Sequence, residues 1–197
     1  MGRDAAGLLD QQQGRRVLRL RQQGVTLIEL MVGLTIISCL LLVGMPSFSG
    51  WIQDLQIRGA AESIESGVLL ARSEAIRRNR PVQLTLADAG GMVEWRVGCV
   101  TVSADCPETI AQRKRGEGGR NTRMAAATVA ADAAFDTALA AGVGLPASIA
   151  FDGMGLLAGA APNRIEVSHV TLGSARRLVI VIGAGLVRLC NPVRGCA

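Results

Sequence analysis

The chain has no tyrosine, one histidine and an aromatic content of only 3%. A surface that stacks nucleic-acid bases needs aromatic faces, so this scarcity argues against a base-stacking module. The one histidine, His169, is not accompanied by a nucleophile elbow, and a Ser-His-Asp triad is therefore unsupported. There is no C-x-x-C redox motif, no glycine-rich loop leading from strand to helix to cradle a phosphate, and no metal-ligand cluster. Without such a constellation the chain is expected to be no enzyme and to need no cofactor or metal. Excess charge is also scarce once the first 24 residues are set aside. The formal net charge is +5, and Arg3, Arg15, Arg16, Arg19 and Arg21 against Asp4 and Asp10 supply +3 of it, leaving 5 − 3 = +2. What is present, 49% hydrophobic and 19% charged residues over 197 positions, suffices for one cored domain with an appendage.

The longest apolar run is VTLIELMVGLTIISCLLLV, the 19 residues from Val25 to Val43, with Glu29 its only charge. At a rise of about 1.5 Å per residue it just spans a hydrocarbon core of about 30 Å. Basic residues precede it and none follows at once, which puts the N-terminus in the cytoplasm. The run ends in GMPSFSG and offers no A-x-A cleavage site of a secretory signal. A carboxylate inside a membrane segment costs roughly 2–3 kcal/mol even on the lenient insertion scale, so Glu29 asks for a partner and a role.

Gly24-Val25-Thr26-Leu27-Ile28-Glu29-Leu30, with its basic leader, resembles the prepilin peptidase motif of type IV pilins and type II secretion pseudopilins. The resemblance implies cleavage between Gly24 and Val25, N-methylation of Val25, and pairing of Glu29 with the N-terminal amine of a neighbouring subunit. Val25 departs from the family's usual phenylalanine, and Pro46 stands where pilins often carry a helix-kinking proline. The partners implied are the prepilin peptidase, other pilin-like subunits and inner-membrane lipid. The expected organisation is a cleaved cytoplasmic leader at 1–24, a transmembrane helix at 25–45, its amphipathic continuation at 46–80, and a periplasmic domain at 81–197.

Phe48, Ile52, Leu55, Ala61, Ile64, Val68, Ala71 and Ala75 alternate with polar residues at helical spacings. They predict one apolar stripe, covered by the domain, on a helix running from Val25 to Arg77 and stopped by Pro81. Beyond Pro81 the period becomes two. VQLTL (82–86) and MVEWRVGCVTV (92–102), joined by Asp88-Ala89-Gly90-Gly91, read as a hairpin. Further strands are expected at 147–151, 164–170, 176–182 and 186–190, with Gly183-Ala184-Gly185 as a turn. His169 falls in the third of these six strands counted from the end, where alternation puts it on the polar face. The fold class is α+β, a long N-terminal helix with a membrane-spanning first half packed on an antiparallel sheet. The segment QRKRGEGGRNTR (112–123), with five basic residues and three glycines, reads as an exposed, solvated loop, a binding patch being its alternative. The alanine-rich stretch 124–142 shows no period.

The C-terminal strand pair, after the turn Phe151-Asp152-Gly153-Met154-Gly155, resembles the GspH/FimT branch of minor pseudopilins. Two roles follow: a subunit near the tip of a type II secretion pseudopilus, or a FimT-type minor pilin in pilus assembly or DNA uptake. DNA-binding members carry Gly-Arg-x-Arg, matched here by Gly185-Leu186-Val187-Arg188, in which the first arginine is a leucine. Arg176, Arg177 and Arg194 are candidates to compensate through phosphate contacts. Of five cysteines, Cys39 lies in the apolar run. Outside the membrane an oxidising compartment suits the disulfides Cys99–Cys106 and Cys190–Cys196, though three pairings, or one disulfide with two thiols, are open. A Cys₄ zinc site would lack its knuckle spacing.

Overall fold

The computed structural model describes residues 24–88, 90–117, 120–130, 137–171, 173–183, 186–192 and 195–196, and leaves the side chains of 43–47, 173–176 and 195 outside the description. The leader, the side chains of Pro46 and Arg176, and Arg194 therefore lie outside it. The chain divides into two units between Gly44 and Met45.

One helix, α1 (Leu27–Arg78), is followed by ten strands: β1 (Val82–Leu86), β2 (Trp95–Cys99), β3 (Ala111–Arg113), β4 (Thr122–Ala127), β5 (Ala147–Phe151), β6 (Leu157–Ala158), β7 (Arg164–His169), β8 (Gly173–Gly183), β9 (Leu186–Asn191) and β10 (Gly195–Cys196). In the first unit the helix carries exposed apolar side chains from Leu27 to Leu42. Among the described residues no helix is long and apolar enough to cross a membrane.

In the second unit the helix buries Ile57, Ala60, Ala61, Ile64, Val68, Ala71 and Ala75 against both sheets. The spacing of three and four holds these residues on one face, and the alanines among them let the sheets come close. Gly67 serves the same end, since a Cβ there would stand 3.1 Å from Leu84 Cδ1 and 3.4 Å from the Trp95 ring. The expected single stripe is thereby corrected. Phe48, Ile52 and Leu55 are exposed, about half a turn from Ile57 and Ile64, so they belong to a second, outward stripe. Asn79 ends the helix with φ 48°; its N–H donates to the Ile76 carbonyl (3.2 Å), and that of Arg80 to the Ala75 carbonyl (3.2 Å). This is the paired bonding of a left-handed C-cap, after which Pro81 cannot continue the helix.

The strands form two antiparallel five-stranded sheets, one in the order β3-β2-β1-β5-β6 and the other β10-β9-β8-β7-β4. The β1–β2 hairpin pairs Val82 with Cys99, and β5 flanks β1 with Phe151 opposite Val82. Alternation is plain in β1, whose Val82, Leu84 and Leu86 are fully buried. In the second sheet Met124, Ala126, Ile165, Val167, Ile180 and Ile182 face the helix. Filling one such position with a large apolar side chain contributes about 1.5–3 kcal/mol. The 112–123 segment is not one loop, because its ends enter β3 and β4.

Candidate functional site

The helix begins at a polar cap. The Thr26 hydroxyl accepts the Glu29 backbone N–H at 3.3 Å, and the Leu30 N–H donates to the Thr26 carbonyl at 3.1 Å. Thr26-x-x-Glu29 is the spacing of a capping box, which satisfies backbone donors left over at a helix start. It also places an acid in the first turn, where the helix dipole favours it. The Glu29 carboxylate is exposed and free of any partner among the described residues. A Cβ built on Gly24 would meet nothing within 4 Å among the described residues, so no contact described there demands glycine. Farther along, the Thr35 hydroxyl donates to the Val32 carbonyl and that of Ser38 to the Leu34 carbonyl, each at 2.8 Å. These hydroxyls are thus satisfied within the helix itself.

The second chemically distinct region is the outer face of the β4–β7–β8–β9 sheet. Register places Arg123, Ser168 and Arg177 in one row and Arg164, Val181 and Arg188 in another, with Glu166 between them. Arg188 is exposed, as is Leu186 beside it. Arg177 is not available in this way: its side chain is only 9% exposed and its Nε lies 3.7 Å from Glu166. As a candidate phosphate contact it is therefore corrected, since its charge is spent inward. Arg164, also buried, bonds Glu166 and donates to the Thr137 carbonyl at 2.8 Å, while Glu166 accepts the Leu139 N–H at 2.8 Å. This ionic cluster fastens the segment around 137–139 over the sheet.

Two residues of the basic 112–123 segment are likewise engaged. Arg113 bonds the Ser63 hydroxyl and the Glu117 carbonyl, and burial pushes its guanidinium below its ordinary range. Arg115 lies 2.9 Å from Asp88, whose other oxygen accepts the Gly90 N–H at 2.6 Å, and 3.7 Å from Glu94. His169 is buried on the helix side of β7, not on the polar face. Its Nδ1 accepts the Thr171 N–H at 3.3 Å, and its Nε2 lies 3.2 Å from Gln56 Oε1. Alternation itself puts the ring on that side, because His169 shares its face with the fully buried Ile165 and Val167. Both expected disulfides, Cys99–Cys106 and Cys190–Cys196, are present, the second holding β10 on β9. Among the described residues no group of three or more His, Cys, Asp or Glu side chains could hold a metal ion.

The family of the Type II transport protein GspH matches residues 60–185, which covers α1 from Ala60 and every strand through β8. The chain belongs to the GspH family. The prokaryotic N-terminal methylation motif matches residues 19–45, around the capped helix start. The crystal structure of the type IV minor pilin FimU from Pseudomonas aeruginosa (strain PAO1) is similar at 16% identity and a TM-score of 0.46, over 71% of this chain and 91% of that one. A search of curated proteins returned no match.

As a GspH-family chain, the protein has two candidate regions, the Gly24–Glu29 start and the outer sheet face. Of the candidate arginines, Arg188 is exposed and Arg177 is half-buried against Glu166, while the Arg176 side chain and Arg194 lie outside the described residues. Thr26 went unread as a cap, although T-x-x-E was legible. The Arg164–Glu166–Arg177 cluster had no sequence signal, because neither register nor the covering segment is local.

Proposed function

We propose that this GspH-family chain is a minor pseudopilin, a non-enzymatic subunit of a type II secretion pseudopilus, placed near its tip. Residues 1–24 are the cytoplasmic leader, 25–45 the inner-membrane span, 46–80 its continuation, and 81–197 the periplasmic domain. The single observation that supports this best is the pairing, in one chain, of an N-terminal methylation motif at 19–45 with a GspH domain at 60–185. Prepilin peptidase would cut after Gly24, where no described contact demands glycine and an outside reader would. Val25 then carries the new, methylated amine. Thr26 satisfies the Glu29 backbone and leaves its carboxylate free to meet a neighbouring subunit's amine. Two charges that are each costly in lipid cost far less together, so the pair sets register between pilin-like subunits.

The test is Glu29→Leu in cells that assemble the filament. Membrane insertion persists and incorporation falls; normal incorporation would refute the reading. Mass spectrometry of the N-terminus reports cleavage and methylation separately.

A second reading, a FimT-type minor pilin that takes up DNA, draws on exposed Arg188 and on Arg123 of the same sheet face. With aromatics scarce, such binding would rest on phosphate contacts and weaken steeply with salt. Salt-sensitive DNA binding that Arg188→Ala weakens would favour it over the secretion role.

A further inference from the structure

The second sheet ends on the outer edge of β9, and most of that edge has no strand beside it. In the order β10-β9-β8-β7-β4, β10 pairs with β9 at Cys190 and Asn191. Among the described residues no strand lies against the remaining edge, Leu186 to Leu189. Register decides which backbone groups point outward there. The Ile182 N–H donates to the Asn163 carbonyl at 2.8 Å, the bond that flanks a non-hydrogen-bonded Arg164–Val181 pair, so Val181 turns its own N–H and carbonyl toward β9. Its partner on β9 is Arg188, whose backbone is thereby bonded to β8. Val187 and Leu189, on either side of Arg188, therefore aim N–H and carbonyl away from the sheet, a row of open donors and acceptors. The other outer strands are blunted by brevity or by cover. β3 has three residues and β6 two. On β4 the Met124 N–H donates to the Gly91 carbonyl at 2.6 Å and the Ala126 N–H to the Val143 carbonyl at 2.9 Å, while the Met124 carbonyl accepts the Gly142 N–H at 2.9 Å. β9 has no proline and keeps an even register with β8.

We propose that the Leu186–Leu189 edge docks an extended segment of another protein, added antiparallel to β9 and carrying an acidic residue between apolar ones. The side chains along the edge set that chemistry. Val187 and Leu189 pack half-buried against the core, so partner residues opposite them extend an apolar layer. Leu186, 60% exposed on the outer face, is matched by a further apolar residue. Arg188 is exposed on that same face. Because its backbone is bonded to β8, the residue added opposite it falls in a non-hydrogen-bonded pair, where side chains come closest. An Asp or Glu there meets the guanidinium directly, an opposite-charge cross-strand pair. β10 marks where the added strand must begin, since Cys190 and Asn191 are already paired and the disulfide holds β10 in place. Main-chain bonds at Val187 and Leu189 supply affinity, and the alternating side chains supply selectivity.

The test uses the isotope-labelled full chain in detergent micelles, the peptide Thr-Val-Glu-Val-Leu-Thr, and its counterpart with lysine in place of glutamate. The expected result is a shift and slowed exchange of the Val187 and Leu189 amides, which gain acceptors, with little change in the exchange of the Arg188 amide, already bonded to β8. The glutamate peptide should bind about threefold more tightly than the lysine one, and Arg188→Glu should reverse that order. Methylating the two valine nitrogens of the peptide should abolish binding, whereas methylating the glutamate and leucine nitrogens should spare it. Equal affinity of the two charged peptides, indifference to which nitrogens are methylated, or no response at Leu186–Leu189 to millimolar peptide would each overturn the proposal. Protection of the same amides that rises with protein concentration before any peptide is added would overturn it too, the occupant then being a second copy. Should Arg188→Glu not fold, Arg188→Gln serves instead and should bring the two peptides to equal affinity.

Discussion

Glu166→Ala tests the buried ionic cluster most directly. The Glu166 side chain is 3% exposed and stands between Arg164, 4% exposed, and Arg177, 9% exposed. Truncation removes one bonded charge pair, a second pair at 3.7 Å, and the acceptor of the Leu139 N–H. The lost attraction matters less than what remains, two guanidinium groups held in low dielectric without that counter-charge. Breaking a buried pair from one side costs about 3–5 kcal/mol. A domain has about 5–15 kcal/mol in all, so the variant should be visibly unstable. Urea denaturation of a fragment spanning residues 45–197 would read this as a fall in the midpoint at unchanged slope. Glu166→Gln keeps an acceptor for Leu139 and should cost less. Replacing Arg164, Glu166 and Arg177 together by Met, Leu and Met should be close to neutral, because buried ionic groups give back little beyond their desolvation cost. A loss below about 1 kcal/mol for Glu166→Ala would refute the reasoning, since exposed pairs behave that way.

Other perturbations separate the remaining contributions. Glu74 is held below the usual carboxylate range by hydrogen bonds from Arg77 and Arg78, so its stabilising share is present above about pH 4.3, the unfolded value, and is lost as pH falls through the lower folded one. Glu74→Gln should therefore flatten the acid limb of a stability–pH profile. Gly98→Ala should destabilise strongly, because its Cβ would fall 1.7 Å from the Glu108 carbonyl oxygen; thermal melting would show it, and a native midpoint would contradict the packing. Removing Cys99 and Cys106 together, which lie seven residues apart, should cost about 2 kcal/mol by loop entropy, measured by denaturation with and without reductant. Thr26→Ala should fray the first turn and cost about 1 kcal/mol of helix stability, read as faster amide exchange at Glu29 and Leu30.

Local signals carried much of this fold. Alternation over 82–86 and 147–151, the Asp-Ala-Gly-Gly turn and the Pro81 stop each act within a few residues, and each strand and stop formed where those signals lie. β4 escaped notice because TRMAAA shows no alternation and Thr122 is its only β-branched side chain. Its alanines are selected by cover on both faces, the helix on one and the Thr137–Leu139 segment near the other, a constraint no local pattern records. The helix stripe was misassigned for a related reason. Apolar residues on opposite sides of a helix differ by half a turn, and a list with gaps of three, four and six can drift from one side to the other. Phe48, Ile52 and Leu55 match the helical period as well as Ile64 and Val68 do; only the position of the sheets separates them. The N-terminal site was readable because its meaning is linear. Glycine, apolar run and acid at a set distance are recognised as a string.

The basic residues show the limit of charge read from a string. Arg113 and Arg115 look like a patch beside Lys114, yet one is bound to Ser63 on the helix and the other to Asp88 at the hairpin turn. Arg176-Arg177 looks like a pair for phosphate, yet Arg177 is committed to Glu166. Each engagement brings an arginine to an element far away in sequence, so these side chains stitch helix, hairpin and sheet together. Among the described arginines of the outer sheet face, Arg188 is the exposed one. A polyanion would need several such groups acting together to overcome competition from salt. Arg113, Arg115 and Arg177 thus serve the cohesion of the domain, each tying its own segment to helix, hairpin or sheet.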